Sequence, residues 1–87
     1  MGELRLNRDA SEWRNVDGEV VALDVAGSQY IATNRAGAEL WRRLDAGASR
    51  EDLVAALVDR FDVDEPTAAR DVERFLESLR ARNLLRE

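Results

Sequence analysis

Carboxylates and arginines are the only chemically capable side chains this sequence holds in quantity. Its 87 residues include 18 Asp and Glu and 13 basic residues, all of them arginine, with no histidine and no cysteine. Without imidazole or thiolate, a zinc site, a disulfide scaffold, a Cys–His dyad and a Ser–His–Asp triad are excluded. Ser11, Ser28, Ser49 and Ser78 therefore have no activating base. The densest acidic group, Asp59, Asp62, Asp64 and Glu65, surrounds the run Phe61–Asp62–Val63–Asp64–Glu65–Pro66. A calcium loop between helices needs about a dozen residues, a glycine at its sharp turn and a final bidentate glutamate. This segment is too short and lacks the glycine, so Asp64 reads as a helix cap and its neighbours as charge complementing the helix dipole. The expectation is a protein with no catalytic residue, no metal and no cofactor.

The arginines raise a nucleic-acid reading. A sheet followed by three helices also describes a winged helix, in which Arg70, Arg74, Arg80 and Arg82 of the last helix would be phosphate contacts. The formal charge of −5 opposes a partner held by phosphate contacts. Asp71, Glu73 and Glu77 also interleave with those arginines, the pattern of a solvated face with i, i+3 and i, i+4 pairs. A DNA-binding regulator is therefore the alternative reading. The complete preference for arginine over lysine, beside abundant alanine, fits high-GC codon usage better than selection for bidentate contacts.

The elements that must position these groups divide the chain in two. Asp17–Gly18 and Gly27–Ser28 separate strand-like runs and read as two-residue hairpin turns. With both turns that short, Trp13 faces Ala22, Val25 faces Tyr30 and Leu23 faces Ala32. Val21, Leu23, Val25, Tyr30 and Ala32 then share one face, and Trp13, Val20, Ala22 and Ile31 the other. Leu4 and Leu6 read as a short strand or strap over that second face. The first helix starts at the cap Asn34 and ends at Gly47, with Leu40, Trp41 and Leu44 apolar. The second starts at Ser49, with Asp52 in a capping-box relation and Leu53, Val54, Leu57, Val58 and Phe61 as its buried stripe. Asp64 caps the third, Pro66 sits in its first turn, and Ala68, Val72, Phe75, Leu76 and Leu79 line one side before Leu84–Leu85. The fold class is α+β: a three-stranded antiparallel sheet followed by three helices, in one domain over residues 1–87. No run approaches the roughly 20 apolar residues of a membrane helix, and no signal-peptide core follows Met1. Leu6 stands where acylation at Gly2 would want Ser or Thr, so a cytoplasmic monomer with no membrane partner is expected.

The ordered set Val16–Asp17–Gly18–Glu19–Val20–Val21–Ala22–Leu23–Asp24, Tyr30 and Asn34–Arg35–Ala36–Gly37–Ala38–Glu39–Leu40–Trp41 resembles the PqqD-like proteins. Leu53–Val54, Phe61–Asp62–Val63, Asp71–Val72, Phe75–Leu76, Leu79 and Leu84–Leu85 continue the likeness over roughly residues 4 to 86. The resemblance implies a winged-helix-like RiPP recognition element, a non-catalytic module that binds the leader segment of a ribosomally made precursor peptide. It also implies partners: the precursor leader, a leader peptidase and a maturation enzyme. The Trp13 region, the arginine- and alanine-rich composition and the ending Leu84–Leu85–Arg86–Glu87 are most similar to the free-standing leader-binding proteins of lasso-peptide biosynthesis, with quinone-cofactor or other RiPP maturation the alternative.

In that family the leader adds as a strand along the third strand, in a groove bounded by the third helix. The corresponding strand here is Gln29, Tyr30, Ile31, Ala32 and Thr33, which carries no charge and no proline, as strand addition requires. Tyr30 and Ala32 are expected both to dock the leader and to pack the core. On the third helix, 100° steps put Val72, Phe75 and Leu79 at the buried centre, with Asp71, Ser78 and Arg82 on one flank and Ala69, Glu73 and Arg80 on the other. Asp71, Arg74, Phe75 and Ser78 are taken as the leader-facing set, because they combine a short side chain with both charge signs. Asn34 reads as a cap, Gly37 as a point of close helix approach and Trp41 as core.

Overall fold

A computed structural model describes residues 3–86. Gly2 of the acylation reading, and Glu87 of the Leu84–Glu87 ending, lie outside the described residues. Strands β1 (Arg5–Leu6), β2 (Ser11–Val16), β3 (Glu19–Asp24) and β4 (Gln29–Ala32) precede helices α1 (Arg35–Ala46), α2 (Arg50–Arg60) and α3 (Glu65–Ala81), and β5 (Leu85–Arg86) follows. The expected α+β architecture is present, with an antiparallel sheet in the order β2-β3-β4. Asp17 (φ 54°) and Gly18 (φ 84°) both take positive φ, which gives the two-residue turn whose twist suits a hairpin. Trp13 accordingly stands opposite Ala22.

The second hairpin differs from the sequence reading. Asp24 pairs with Gln29, so the loop spans residues 25–28, Leu23 faces Tyr30, and Val21 faces Ala32. The Val25 amide donates to the Ala10 carbonyl at 3.0 Å and prolongs the β2–β3 ladder. The buried Asp24 carboxylate accepts the Gly27 amide at 3.1 Å and closes the longer turn. A slip of two residues leaves every side chain on its expected face. Val20, Ala22 and Ile31 face the helices, while Val21, Leu23, Tyr30 and Ala32 face outward. Tyr30 is 78% exposed, and Ala32 is exposed too, so neither packs the core; Ile31, half-buried, is the β4 residue that does.

All three helices start at the expected caps. Asn34 Oδ1 accepts the Gly37 amide at 2.8 Å, Ser49 and Asp52 form a complete capping box, and Asp64 Oδ1 accepts the Thr67 amide at 2.9 Å. Leu4 and Leu6 are buried, but β1 pairs with β5 and Leu4 bridges Ala48, so the strap ties the two chain ends together beside α1. Trp41 is fully buried, with its ring 6.2 Å from that of Trp13 at 69°. Its indole N–H has no acceptor among the described residues, at a cost of about 1–3 kcal/mol. The edge-to-face contact returns about 0.5–1.5 kcal/mol beyond area burial. The expected α2 stripe is only half right. Leu53 and Leu57 are buried, whereas Val54 is half-buried and Val58 is 42% exposed, because α1 and α3 cover only one side of α2.

Glu39 on α1 is a buried carboxylate, 7% exposed, which the sequence reading did not single out. Arg43 reaches it at 2.7 Å and Arg42 at 3.4 Å from its own helix, and Arg60 at 3.6 Å from the end of α2. Burial alone would raise its pKa; the Arg43 hydrogen bond, the charges of Arg60 and Arg43 and the Arg42 hydrogen bond outweigh that and hold it below the ordinary 4.5. A carboxyl with a depressed folded-state pKa adds stability above its unfolded value and loses it as pH falls through the folded one. We expect Glu39→Gln to cost about 1–2 kcal/mol at pH 7. The gap from wild type should narrow as pH drops below 4.5. Urea titrations followed by circular dichroism at both ends of that range would show it; a gap independent of pH would remove the ion-pair account.

Candidate peptide-binding groove

The outer side of β4 is a bare sheet edge, and the pairing says which of its groups are free. The Thr33 amide donates to the Val20 carbonyl at 2.9 Å, and Thr33 Oγ1 accepts the Val20 amide at 3.1 Å. Bonded and non-bonded pairs alternate along an antiparallel ladder. Ile31 therefore exchanges its bonds with Ala22, while Tyr30 and Ala32 turn their N–H and C=O groups away from β3. No strand covers them among the described residues. The edge thus offers two donors and two acceptors in an uncharged strand.

Helix α3 walls the space beside this edge. Near the start of β4, Arg82 Nη1 donates to Gln29 Oε1 at 3.1 Å. Near its end, Phe75 lies over Gly37 in the first turn of α1; a methyl group there would meet Thr33 Cβ at 3.1 Å and Phe75 Cε1 at 3.4 Å. The missing side chain of Gly37 is thus what admits the ring. Past the end of β4, on the far side of Phe75 from Arg82, opens a cavity of about 360 Å3 among α1, α2 and α3. Leu40 and Leu57 form its floor, Gly37, Ala36 and Phe75 its walls, and Asn34, Asp71 and Arg74 its rim. The surroundings combine an apolar bottom with one carboxylate and one guanidinium at the mouth, both exposed and without an ion pair among the described residues.

Asp71, Arg74 and Phe75 therefore come together on one cavity, and Ser78 lies exposed one turn further along the same flank, outside the cavity lining. Gln29 adjoins the C-terminal end of α3 through Arg82, and Thr33 adjoins Gly37. Gln29, Tyr30, Ile31, Ala32 and Thr33 form the other side, with Tyr30 pointing to the outer face of the sheet and Ile31 to the core. The opposite flank of α3 is occupied by α2: Arg50 Nε donates to Glu73 Oε2 at 2.7 Å. Asn34 and Gly37, read from the sequence as structural, line the cavity as well. The signal for Gly37 was its place in a helix's first turn, where a glycine only weakens the helix unless something large must approach. Three of the four arginines of the nucleic-acid reading are spread over different parts of α3. Arg82 is held by Gln29, Arg74 is on the cavity rim, and Arg80 lies on the flank that carries Glu73.

The family model for coenzyme PQQ synthesis protein D (PqqD) matches residues 19–85, which leaves β1 and β2 outside the matched region. The solved structure of TbiB1 in complex with the TbiA(beta) leader peptide superposes with a TM-score of 0.84 at 32% identity, covering 93% of each chain. Lasso peptide synthetase B1 complexed with the leader peptide superposes with a TM-score of 0.81 at 26% identity, covering 97% of this chain and 98% of the other. No curated protein matches the sequence.

The pairing predicts a two-residue rhythm in amide exchange. In the free protein the Tyr30 and Ala32 amides should exchange at least about tenfold faster than those of Ile31 and Thr33. Hydrogen–deuterium exchange read by NMR tests this; uniform protection along the four residues would mean that the edge is covered.

Proposed function

The chain belongs to the PqqD family, and we propose that it is a non-catalytic recognition module for the leader segment of a ribosomally synthesised precursor peptide. The leader adds antiparallel or parallel to β4 through the outward groups of Tyr30 and Ala32, and one of its side chains enters the cavity beside Phe75. The bare, uncharged edge next to that cavity carries this reading, and the likeness to two proteins described as bound to leader peptides supports it. The likeness to a lasso peptide synthetase B1 also favours a lasso-peptide pathway over quinone-cofactor maturation, with a leader peptidase and a cyclase as the enzymes to which the leader is presented.

Roles follow from position. Gln29 to Thr33 align the peptide by its backbone, and Phe75 with Gly37 shapes the pocket for its apolar anchor. Arg74, Asp71 and Ser78 meet polar groups of the leader at the pocket mouth. Duplex DNA is a poor fit: the net charge is −5, and Glu73 with Arg50 neutralises part of the face an incoming duplex would need.

The register selects the decisive substitution. Ala32→Pro removes an outward donor and leaves the bonds of Ile31 to β3 in place, whereas Ile31→Pro would break the sheet itself. Ala32→Pro should weaken binding of a fluorescent synthetic leader at least about tenfold in anisotropy titrations, whatever the leader's side chains. Phe75→Ala should instead erase discrimination between that leader and one with its apolar residues changed to alanine. Circular dichroism establishes that each variant is folded. Unchanged leader affinity in both folded variants, or salt-sensitive binding to duplex DNA with no response to leader, would refute the assignment.

A further inference from the structure

A roomier cavity than the one beside the β4 edge lies elsewhere among the described residues. A cavity of about 880 Å3 lies along the outer side of α2 and the start of α3, lined by Val54, Ala55, Val58 and Ala69. These are the valines that the core leaves uncovered: Val58 is 42% exposed and Val54 half-buried, four residues apart on one helix face. Solvent-facing valine does nothing for helix stability, since β-branched residues are poorer helix formers than alanine or glutamate. Val54 packs one side against the core and leaves the other open, and Val58 beside it adds little to holding this chain together.

The surroundings of the stripe say what would cover it. Glu51, Asp52, Asp59 and Glu65 ring it, and the sole guanidinium at the margin, Arg43, is already held by Glu39 at 2.7 Å. Asp52 is engaged in the α2 capping box, whereas Glu51, Asp59 and Glu65 have no ion pair among the described residues. Unpaired carboxylates around apolar side chains repel one another and attract a cationic partner. A second copy of this chain would bring the same acidic rim to a two-fold contact, so like charges would face each other. A groove between two helices accepts a third helix whose anchors recur at i, i+3, i+4 and i+7.

We propose that the α2–α3 groove docks a basic, amphipathic helical segment of a partner protein, its apolar residues on Val54 and Val58 and its cations on Glu51, Asp59 and Glu65. The site lies on the side of α3 opposite Asp71, Arg74 and Phe75, so both grooves can be filled at once. It stands whether or not β4 binds a leader.

The test uses the full chain and a defined probe. An amphipathic peptide of about 18 residues, leucine on one face and arginine along both margins, is titrated into the 15N-labelled protein; its control carries glutamate for arginine. The arginine peptide should shift the amides of Val54, Ala55, Val58 and Ala69, and weaken about tenfold between about 50 and 300 mM salt. The glutamate peptide should not bind. Val58→Lys, at an exposed helical position, should lower affinity for the arginine peptide at least about tenfold while leaving the circular dichroism spectrum unchanged. Asp59→Arg should narrow the preference for arginine over glutamate. Equal response to both peptides, no response to either, shifts confined to the β4 edge, or concentration-dependent shifts without peptide would each overturn the proposal. Leader affinity measured on the same samples is a separate readout, since Val58 and Asp59 lie outside the β4 groove.

Discussion

Thr33 and Asn34 form the joint on which the geometry of this molecule depends. Thr33 locks β4 to β3 through two bonds to Val20, one from its amide and one to its hydroxyl. The next residue, Asn34, accepts the Gly37 amide and starts α1 with no intervening loop. One pair of residues thus fixes both which β4 amides face out and where the first turn of α1 lies. Because Gly37 is in that turn, the place where Phe75 can rest is set as well. The edge and the pocket are consequences of a single strand-to-helix turn, so they keep a fixed distance from each other.

The two edges of the sheet are treated differently. β2 carries Glu12 and Arg14 on its exposed face, and charge of this kind discourages pairing with a foreign strand. β4 has no charge, and its protection comes only from brevity and from the helix alongside, clipped by the Arg82–Gln29 bond. A natural sheet that guards one edge and leaves the other open restricts strand addition to one side.

The fold was largely legible because its punctuation is local. Asn34, Ser49 and Asp64 cap the helices and Asp17–Gly18 turns the first hairpin through bonds made within four residues, so residue type and spacing suffice. The failures come from one local turn and from contacts distant in sequence. The longer second hairpin turns on Asp24 accepting the Gly27 amide, and the strap at Leu6 depends on Leu85 at the other end of the chain. Val54 and Val58 match the helical period of a buried stripe, but period reports that a face is apolar and not whether another helix covers it. Glu39 was hidden for a related reason: i, i+3 and i, i+4 arginines mark a surface pair, and only Arg60 from another helix and the burial itself show otherwise. In the groove, the uncharged strand was visible as a string of residues. Which of its amides are free follows from the alternation of the ladder, and the two-residue slip leaves that alternation unchanged.

The energetics of the groove explain why an open edge alone would be a poor receptor. Tyr30 and Ala32 offer four backbone groups, and hydrogen bonds of this kind contribute about 0.5–1.5 kcal/mol each net of water. Association costs an estimated 4–15 kcal/mol in lost translational and rotational freedom, while micromolar binding needs about −8 kcal/mol overall. Backbone pairing therefore leaves a deficit, and it is blind to side chains, so it can neither hold nor choose. An aromatic side chain that buries about 150 Å2 adds roughly 4 kcal/mol at 25 cal/mol per Å2. A concavity at the end of the edge that offers such burial is the one bounded by Leu40, Leu57, Gly37 and Phe75. Its walls belong to α1, α2 and α3 together, so the pocket exists only when the three helices are packed. Under the proposed function, selectivity would thus rest on the helical layer, while the sheet would set the direction in which the bound chain runs.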